Sequence, residues 1–230
     1  VYASAAGVSV KSYKTMDGQR AATVTLANVV VAEDQLLNAV GEGMDLVDQV
    51  MPSMLMALSA EALGIMATLN SITVGYSKTR QQFGSPIGSF QVLQHRMVDT
   101  FMSCEQAKSM LYRSLCQAND CAADASADTG EFMKSVHALK VTMAKAGKQI
   151  GEEAIQMHGA TGVSQWTPLA DMYTSQRTLR LADGPDEVHW MVVGRKEVND
   201  GEEKAASYNP KEAFLANTSD VKETVFSGPA

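Results

Sequence analysis

Residues 90–118 read FQVLQHRMVDTFMSCEQAKSMLYRSLCQA. Apolar side chains recur at Leu93, Met97, Phe101, Cys104, Leu111, Leu115 and Ala118, in steps of three, four or seven. That spacing gathers them on one stripe of a helix. A narrow stripe on a long helix suits an antiparallel bundle with crossing angles of about 20°. The stripe is read as core. After the polar segment 119–130 (NDCAADASADTG) the pattern resumes at Phe132, Val136, Leu139, Met143, Ala146, Ile150 and Met157, and Gly159 stops it. Upstream, residues 44–82 hold one breaker, Pro52, which belongs in the first turns or at a kink. Gly84, Pro86 and Gly88 then turn the chain. Two more helices are predicted over 164–182 and 186–199, joined at Asp183-Gly184-Pro185.

The first forty residues follow a different period. Residues 7–13 (GVSVKSY) alternate and are β-branched, Asp17-Gly18 signals a turn, and 21–31 (AATVTLANVVV) form a return strand broken near Asn28. The fold class is therefore mainly α: an antiparallel four-helix bundle over 41–199, preceded by a β-hairpin remnant of a β-domain over 1–40. Residues 200–230 form a polar tail.

Composition agrees. The 230 residues are 45% hydrophobic, 20% charged and only 6% aromatic, with 14 Met, a mix that suits packed helices. The net charge of -7, with no basic stripe, argues against nucleic acid. No unbroken apolar run approaches about 18 residues, so no membrane span is expected. Cys104, Cys116 and Cys121 are odd in number and lack metal-ligand spacing. A reducing compartment is expected, bacterial cytoplasm or mitochondrial matrix, and not secretion. The four histidines show no i, i+4 pair, and no metal site is expected.

Three segments could carry chemistry. In Thr79-Arg80-Gln81-Gln82-Phe83-Gly84, followed by Gln91, a guanidinium, a ring and an amide could hold a charged planar ligand. On composition alone Arg80 reads better as a surface residue favoured by the helix dipole. Gln156-Met157-His158-Gly159-Ala160-Thr161-Gly162 reads as a helix end and a turn, in the wrong context for a dinucleotide fingerprint. Asp183, in LADGPDE, could act as a base or cap the following helix.

In order and spacing these segments resemble the C-terminal portion of the acyl-CoA dehydrogenase family. The likeness runs from Tyr76-x-x-x-Arg80-x-x-Phe83-Gly84 through Gln91, then Gln156-x-x-Gly159-x-x-Gly162, to Asp183-Gly184. Upstream, the hairpin, Asn28-Val29-Val30-Val31 and Gly41-Glu42-Gly43 resemble the end of that family's middle β-domain, so the likeness covers residues 7–195. LADGPDEVH is closest to the branch with Asp, not Glu, at the base position. The resemblance implies a flavoprotein of fatty acid β-oxidation, a homodimer or tetramer with FAD lying between subunits. Arg80 would hold the FAD pyrophosphate, with Phe83 and Gln91 beside it. Gln156, Gly159 and Ala160 would meet the adenosine side of a neighbouring subunit's FAD. Asp183 would take the α-proton of an acyl-CoA while the β-hydride moves to the flavin, and Gly184 would border the substrate. Electrons would pass to an electron-transfer flavoprotein or similar acceptor. An aspartate of ordinary pKa, about 3.9, is too weak a base for this proton, so a dry crevice around Asp183 is expected.

Some positions depart from the family's pattern. Leu55 stands where the family often keeps a substrate-side Arg, Met54 where some members keep another base, Pro185 where a hydroxyl is usual, and Ala160 where a second Gly is common. The family also carries an N-terminal helical domain and a full β-domain. One chain of this length is therefore expected to leave an active site incomplete, as a fragment or as a subunit paired with a chain that supplies the rest. The alternative is a non-catalytic helical assembly module.

Overall fold

The computed structural model describes residues 1–207, with side chains through Asp200. Strands β1 (Val8–Lys14) and β2 (Arg20–Leu26) form an antiparallel hairpin in register Val8↔Leu26 to Lys14↔Arg20. The return strand ends at Leu26 because Asn28 adopts a left-handed backbone, φ 53°. Val10, Tyr13, Val24 and Leu26 are exposed on the hairpin. Its tip, at Asp17 and Gln19, approaches the helices.

Five helices follow: α1 (Gly43–Thr79), α2 (Gln91–Ala123), α3 (Thr129–His158), α4 (Leu169–Leu179) and α5 (Asp186–Ser207). Cross-helix contacts give their directions. Asn70 donates to the Thr100 carbonyl between α1 and α2. Arg96 pairs with Glu153, and Ser103 with Gln149, between α2 and α3. Gly147 lies against Gln176, and Gly151 against Tyr173, between α3 and α4. In the last two pairs one number rises as the other falls, so those neighbours run antiparallel; the end of α1 meets the end of α3, Tyr76 on His158, so α1 runs with α3 and α1 to α4 form an up-down-up-down bundle. Its core gathers Ala62, Met66, Leu69, Ala107, Leu139, Met143 and Ile150, among others. Complete burial of one such large side chain stabilises by about 1.5–3 kcal/mol. Trp190 begins to tie α5 to α3, with Lys145 Nζ 4.0 Å above its ring. A second unit starts at Met191 and holds the rest of α5.

Several expectations need correction. The first helix ends at Thr79, not 82, because residues 81–86 pair as a small hairpin, Gln81–Gln82 with Ser85–Pro86. Pro52 lies inside α1, in its third turn, past the first turns and at the position that leaves a kink as the remaining expectation. The second helix continues to Ala123, and α4 is shorter than 164–182. Phe101 and Leu115 are exposed, whereas Thr100, Cys104, Ala107, Leu111 and Ser114 are buried. The core face thus runs one residue to the side of the expected stripe. By length and composition α1 could cross a bilayer, contrary to expectation, although here it carries Leu55, Ala62, Met66 and Leu69 as buried residues. Residues 200–207 continue α5 instead of opening the tail. The remainder of the expected tail, 208–230, lies outside the described residues.

The contact of α4 with α3 depends on glycine. A Cβ on Gly147 would lie 2.2 Å from Gln176 Oε1, and the same Gln176 donates Nε2–H to the Ala62 carbonyl at 2.8 Å. Gly147→Val should therefore displace a buried amide and destabilise the chain by about 2 kcal/mol. Gly64, also helical but with open space around it, gives the control: Gly64→Ala should stabilise by about 0.5–1 kcal/mol. Urea unfolding of the two variants beside the parent checks both signs.

Candidate functional site

Arg80 caps the C-terminus of α1, its N–H donating to the Tyr76 carbonyl at 2.9 Å, and its carbonyl accepts from Ile87 N at 2.8 Å. Between them Phe83 and Gly84 form the two-residue turn of the small hairpin, with φ of 54° and 78°. Positive φ at both central positions belongs to a type I′ turn, where Asn-Gly is favoured and Phe is strained. Phe83 is 94% exposed and meets the edge of Phe90, ring centroids 6.1 Å apart. A large ring held out at a strained position marks a functional candidate.

The far end of α3 reaches the same place. Tyr76 stacks on His158 with centroids 4.2 Å apart. His158 Nδ1 lies 2.7 Å from the Ala154 carbonyl, which only accepts, so Nδ1 carries the proton. The other ring nitrogen, Nε2, is buried without a partner among the described residues. Gly159 then reverses the chain at φ 60°. Together Tyr76, Arg80, Phe83, Phe90, Gln156, Gly159 and Ala160 line one groove of about 360 Å³. Arg96, also on its wall, is paired with Glu153, while Arg80 is exposed and makes no ion pair among the described residues. A free guanidinium, an outstanding ring and a helix end with little side-chain bulk suit an anionic ligand with a planar head. Gln91, expected beside Arg80, is the exposed first residue of α2, next to the lining residue Phe90.

Asp183 lies elsewhere. The turn after α4 puts Asp183 and Gly184 at φ 57° and 101°, a second non-glycine residue in the left-handed region followed by Gly. The Asp183 side chain is exposed, so the dry crevice expected around it is not formed by this chain alone. It is not the cap of α5 either, because that helix begins at Asp186. Asp186 is buried and bonded to Arg180 Nε at 2.6 Å. Beneath the turn, Lys140 Nζ donates to the Gly184 carbonyl at 2.6 Å, and His189 Nε2 lies 3.2 Å from the Asp183 carbonyl. His137 and His189 meet Nδ1 to Nδ1 at 2.8 Å. From Lys140 to Gln156, α3 rises sixteen residues, roughly 24 Å, so this turn and the groove stand at opposite ends of the bundle.

Residues 41–197 match the acyl-CoA dehydrogenase C-terminal domain family. The chain belongs to that family. It is 33% identical over 139 residues to acyl-CoA dehydrogenase family member 11 of Rattus norvegicus, covering 60% of this chain and 17% of the rat protein. Butyryl-CoA dehydrogenase of Megasphaera elsdenii shares the fold, with a TM-score of 0.76 and 23% identity over 86% of this chain and 50% of that one. The FAD complex of PigA matches at a TM-score of 0.73 and 25% identity over 84% of this chain and 49% of that one. The chain thus spans about half the length of these two solved structures.

Tyr76 and Arg80 are legible in the sequence as one family segment, but the stack on His158 is not. Lys140 carries a signal in its position: it falls on the apolar stripe of α3 between Val136 and Met143, where a cation needs a buried partner. Nothing in the sequence marks His137 and His189 as a pair, since they are 52 residues apart.

The strained turn at Phe83 and the partly buried histidine pair can each be tested. Phe83→Gly should raise the stability of the ligand-free chain by about 1 kcal/mol, because it removes left-handed strain while losing little burial. The same variant should hold an anionic ligand with a planar head more weakly; thermal unfolding with and without added FAD separates the two effects. For the histidines the variable is pH. Burial above all holds both imidazoles below their ordinary value of 6.5, aided at His137 by its neighbour His189 and at His189 by Lys140; Asp183 opposes both. As pH falls below about 6.5 the unfolded chain takes up these protons first. Their contribution to stability is therefore full above that pH and is lost on acidification through the lower folded-state values. Urea midpoints measured from pH 7 to pH 5 should fall, and less steeply in His137→Leu.

Proposed function

We propose that the chain is the C-terminal part of an FAD-dependent acyl-CoA dehydrogenase, carrying one end of an FAD site and the α-proton base. One observation carries this reading. Arg80 and Phe83 from the end of α1 converge with Gln156, Gly159 and Ala160 from the end of α3 on a single groove, although 76 residues separate Arg80 from Gln156. The residues present fit the cofactor. Arg80 would hold the pyrophosphate, Phe83 would lie against the planar head, and the exposed Gln91 is near enough to join them. The glycine bend lets backbone approach the ligand, and His158 Nε2 offers an acceptor in need of a donor.

When bound, FAD supplies the acceptor for the β-hydride of an acyl-CoA thioester. Asp183 takes the α-proton on a carboxylate oxygen. Its own N–H, which makes no backbone hydrogen bond among the described residues, is free to polarise the thioester carbonyl. Gly184, with no Cβ, lets the thioester approach. Because the base and the groove are separated along α3, they serve different FAD molecules, and a dimer or tetramer follows from this reading. Asp183 becomes dry, and its carboxyl a stronger base, only when substrate and residues from outside this chain cover it. An electron-transfer flavoprotein or similar acceptor would then receive the electrons.

A non-catalytic assembly role is favoured by Leu55, buried where a substrate-side Arg is frequent, and by Pro185 after Gly184. The assembled protein decides between them. It should be yellow, and its flavin absorbance should bleach when acyl-CoA is added. Asp183→Asn should keep the colour and slow bleaching by at least a thousandfold. A colourless preparation with FAD supplied would support the assembly role.

A further inference from the structure

Lys140 is wholly buried, 0% exposed, and His189 is 2% exposed, in a bundle whose other large buried side chains are mostly apolar. Ionisable side chains inside a core need a task that offsets their desolvation. Here both reach the same short turn. Lys140 binds the carbonyl of Gly184 and His189 faces the carbonyl of Asp183, two consecutive peptide oxygens.

The hydrogen-bond directions follow from which atoms can donate. A carbonyl only accepts, so His189 Nε2 carries a proton and donates to Asp183 O. In neutral His189 the other nitrogen, Nδ1, is then an acceptor. Nδ1 of His137, 2.8 Å away, must be the donor. The protons thus run in one direction, from His137 to His189 to the Asp183 backbone. His137 fixes the tautomer of His189, and that tautomer fixes the carbonyl. This matters because Asp183 has a positive φ that an L-residue rarely adopts. Such a backbone persists only where its surroundings over-determine it.

We propose that Lys140 and the His137–His189 pair are positioning residues: they clamp the Asp183 and Gly184 carbonyls from beneath and so aim the Asp183 carboxylate for proton abstraction. This role rests on Asp183 being the base. Lys140 contributes a second effect, since its ammonium lies near Asp183, Asp186 and Glu187, and those carboxylates oppose the burial that lowers its pKa. None of the three clamping residues needs to touch substrate.

The test compares His189→Leu, which removes the donor, with His189→Gln, whose side-chain amide can place an N–H near the position of Nε2. Two readouts are taken. On the ligand-free chain, amide hydrogen exchange is followed in the peptide spanning 181–190. On the assembled holoprotein, flavin content and the single-turnover rate of flavin bleaching by acyl-CoA are measured. The expected result for His189→Leu is exchange at least tenfold faster and bleaching at least tenfold slower, with flavin content and acyl-CoA affinity within twofold of the parent. His189→Gln should return both rates to within threefold, and Lys140→Met should behave like His189→Leu. Parent-like exchange and bleaching in His189→Leu would overturn the proposal, as would a His189→Gln no better than the Leu variant. If His189→Leu fails to fold, Lys140→Met set against His189→Gln distinguishes the same two outcomes. Asp183→Asn separates the layers. If it bleaches at the parent rate, the base assignment itself falls and the positioning role with it. If it is inactive while the clamp variants are normal, only the positioning role falls.

Discussion

The absence of side chains at Gly147 and Gly151 is the constraint on which the rest of the structure depends. It lets α4 lie close enough to α3 for Gln176 to cross both and bond the Ala62 carbonyl of α1. One amide thereby ties three helices together. Where α4 lies determines where its last turn ends, and so where Arg180, Asp183 and Gly184 emerge. The far side of that turn is secured by the ion pair of Arg180 with the buried Asp186. A buried pair of this kind stabilises little relative to an apolar substitute, but breaking it leaves a buried charge. It therefore acts as a fixed point for the turn.

The two candidate sites use the same backbone device. Phe83-Gly84 and Asp183-Gly184 each place a non-glycine residue in the left-handed region, followed by a glycine that is also at positive φ. In both, the strained residue is the one that would meet a ligand, and in both its side chain is exposed. The supports differ. Phe83 is held by the register of a two-residue hairpin, so backbone pairing alone carries the strain. Asp183 lies outside any strand of the described residues and is held by buried side chains from α3 and α5. Strain of this order, about 1–2 kcal/mol per residue, is tolerable in a bundle whose core is otherwise well filled, and it is placed where an adaptable loop would lose aim.

Much of the helical frame is legible in the sequence because it follows from period and breakers. The stripe at Val136, Leu139, Met143 and Ile150 is buried as expected, and Gly159 ends that helix. The stripe on α2 reads one residue off axis, because Phe101 and Leu115 are large and apolar and yet face outward, while Thr100 and Ser114 are buried. Hydrophobicity there describes two surfaces at once, the inner core and an outer face. The end of α1 is not legible because nothing local forbids helix at Gln81 and Gln82. The pairing with Ser85 and Pro86 is a tertiary choice that costs Phe83 its preferred backbone. For the candidate sites, the sequence offers the motif residues but not their grouping. Arg80 and Gln156 share a groove only because α1 and α3 run parallel, and Lys140 finds Gly184 only after α4 has turned back along α3.

An exposed catalytic base would be a contradiction in a complete enzyme, since water would level its basicity. Under the proposed function, the exposure of Asp183 is instead the form a half-site takes. Both candidate ligand surfaces face outward: a ring that is 94% exposed at one end of α3 and a carboxylate without cover at the other. The groups behind them, buried His158 on one side and buried Lys140 and His189 with half-buried His137 on the other, are already held by hydrogen bonds. Rigid backing combined with open frontage is what a surface needs if its second wall comes from another chain or another domain, because the preorganised half limits the ordering entropy lost when the halves meet. On the proposed reading, an isolated chain would not carry out the chemistry. Asp183 then stays hydrated until a second wall covers it, and the proton transfer proposed for it waits on that cover.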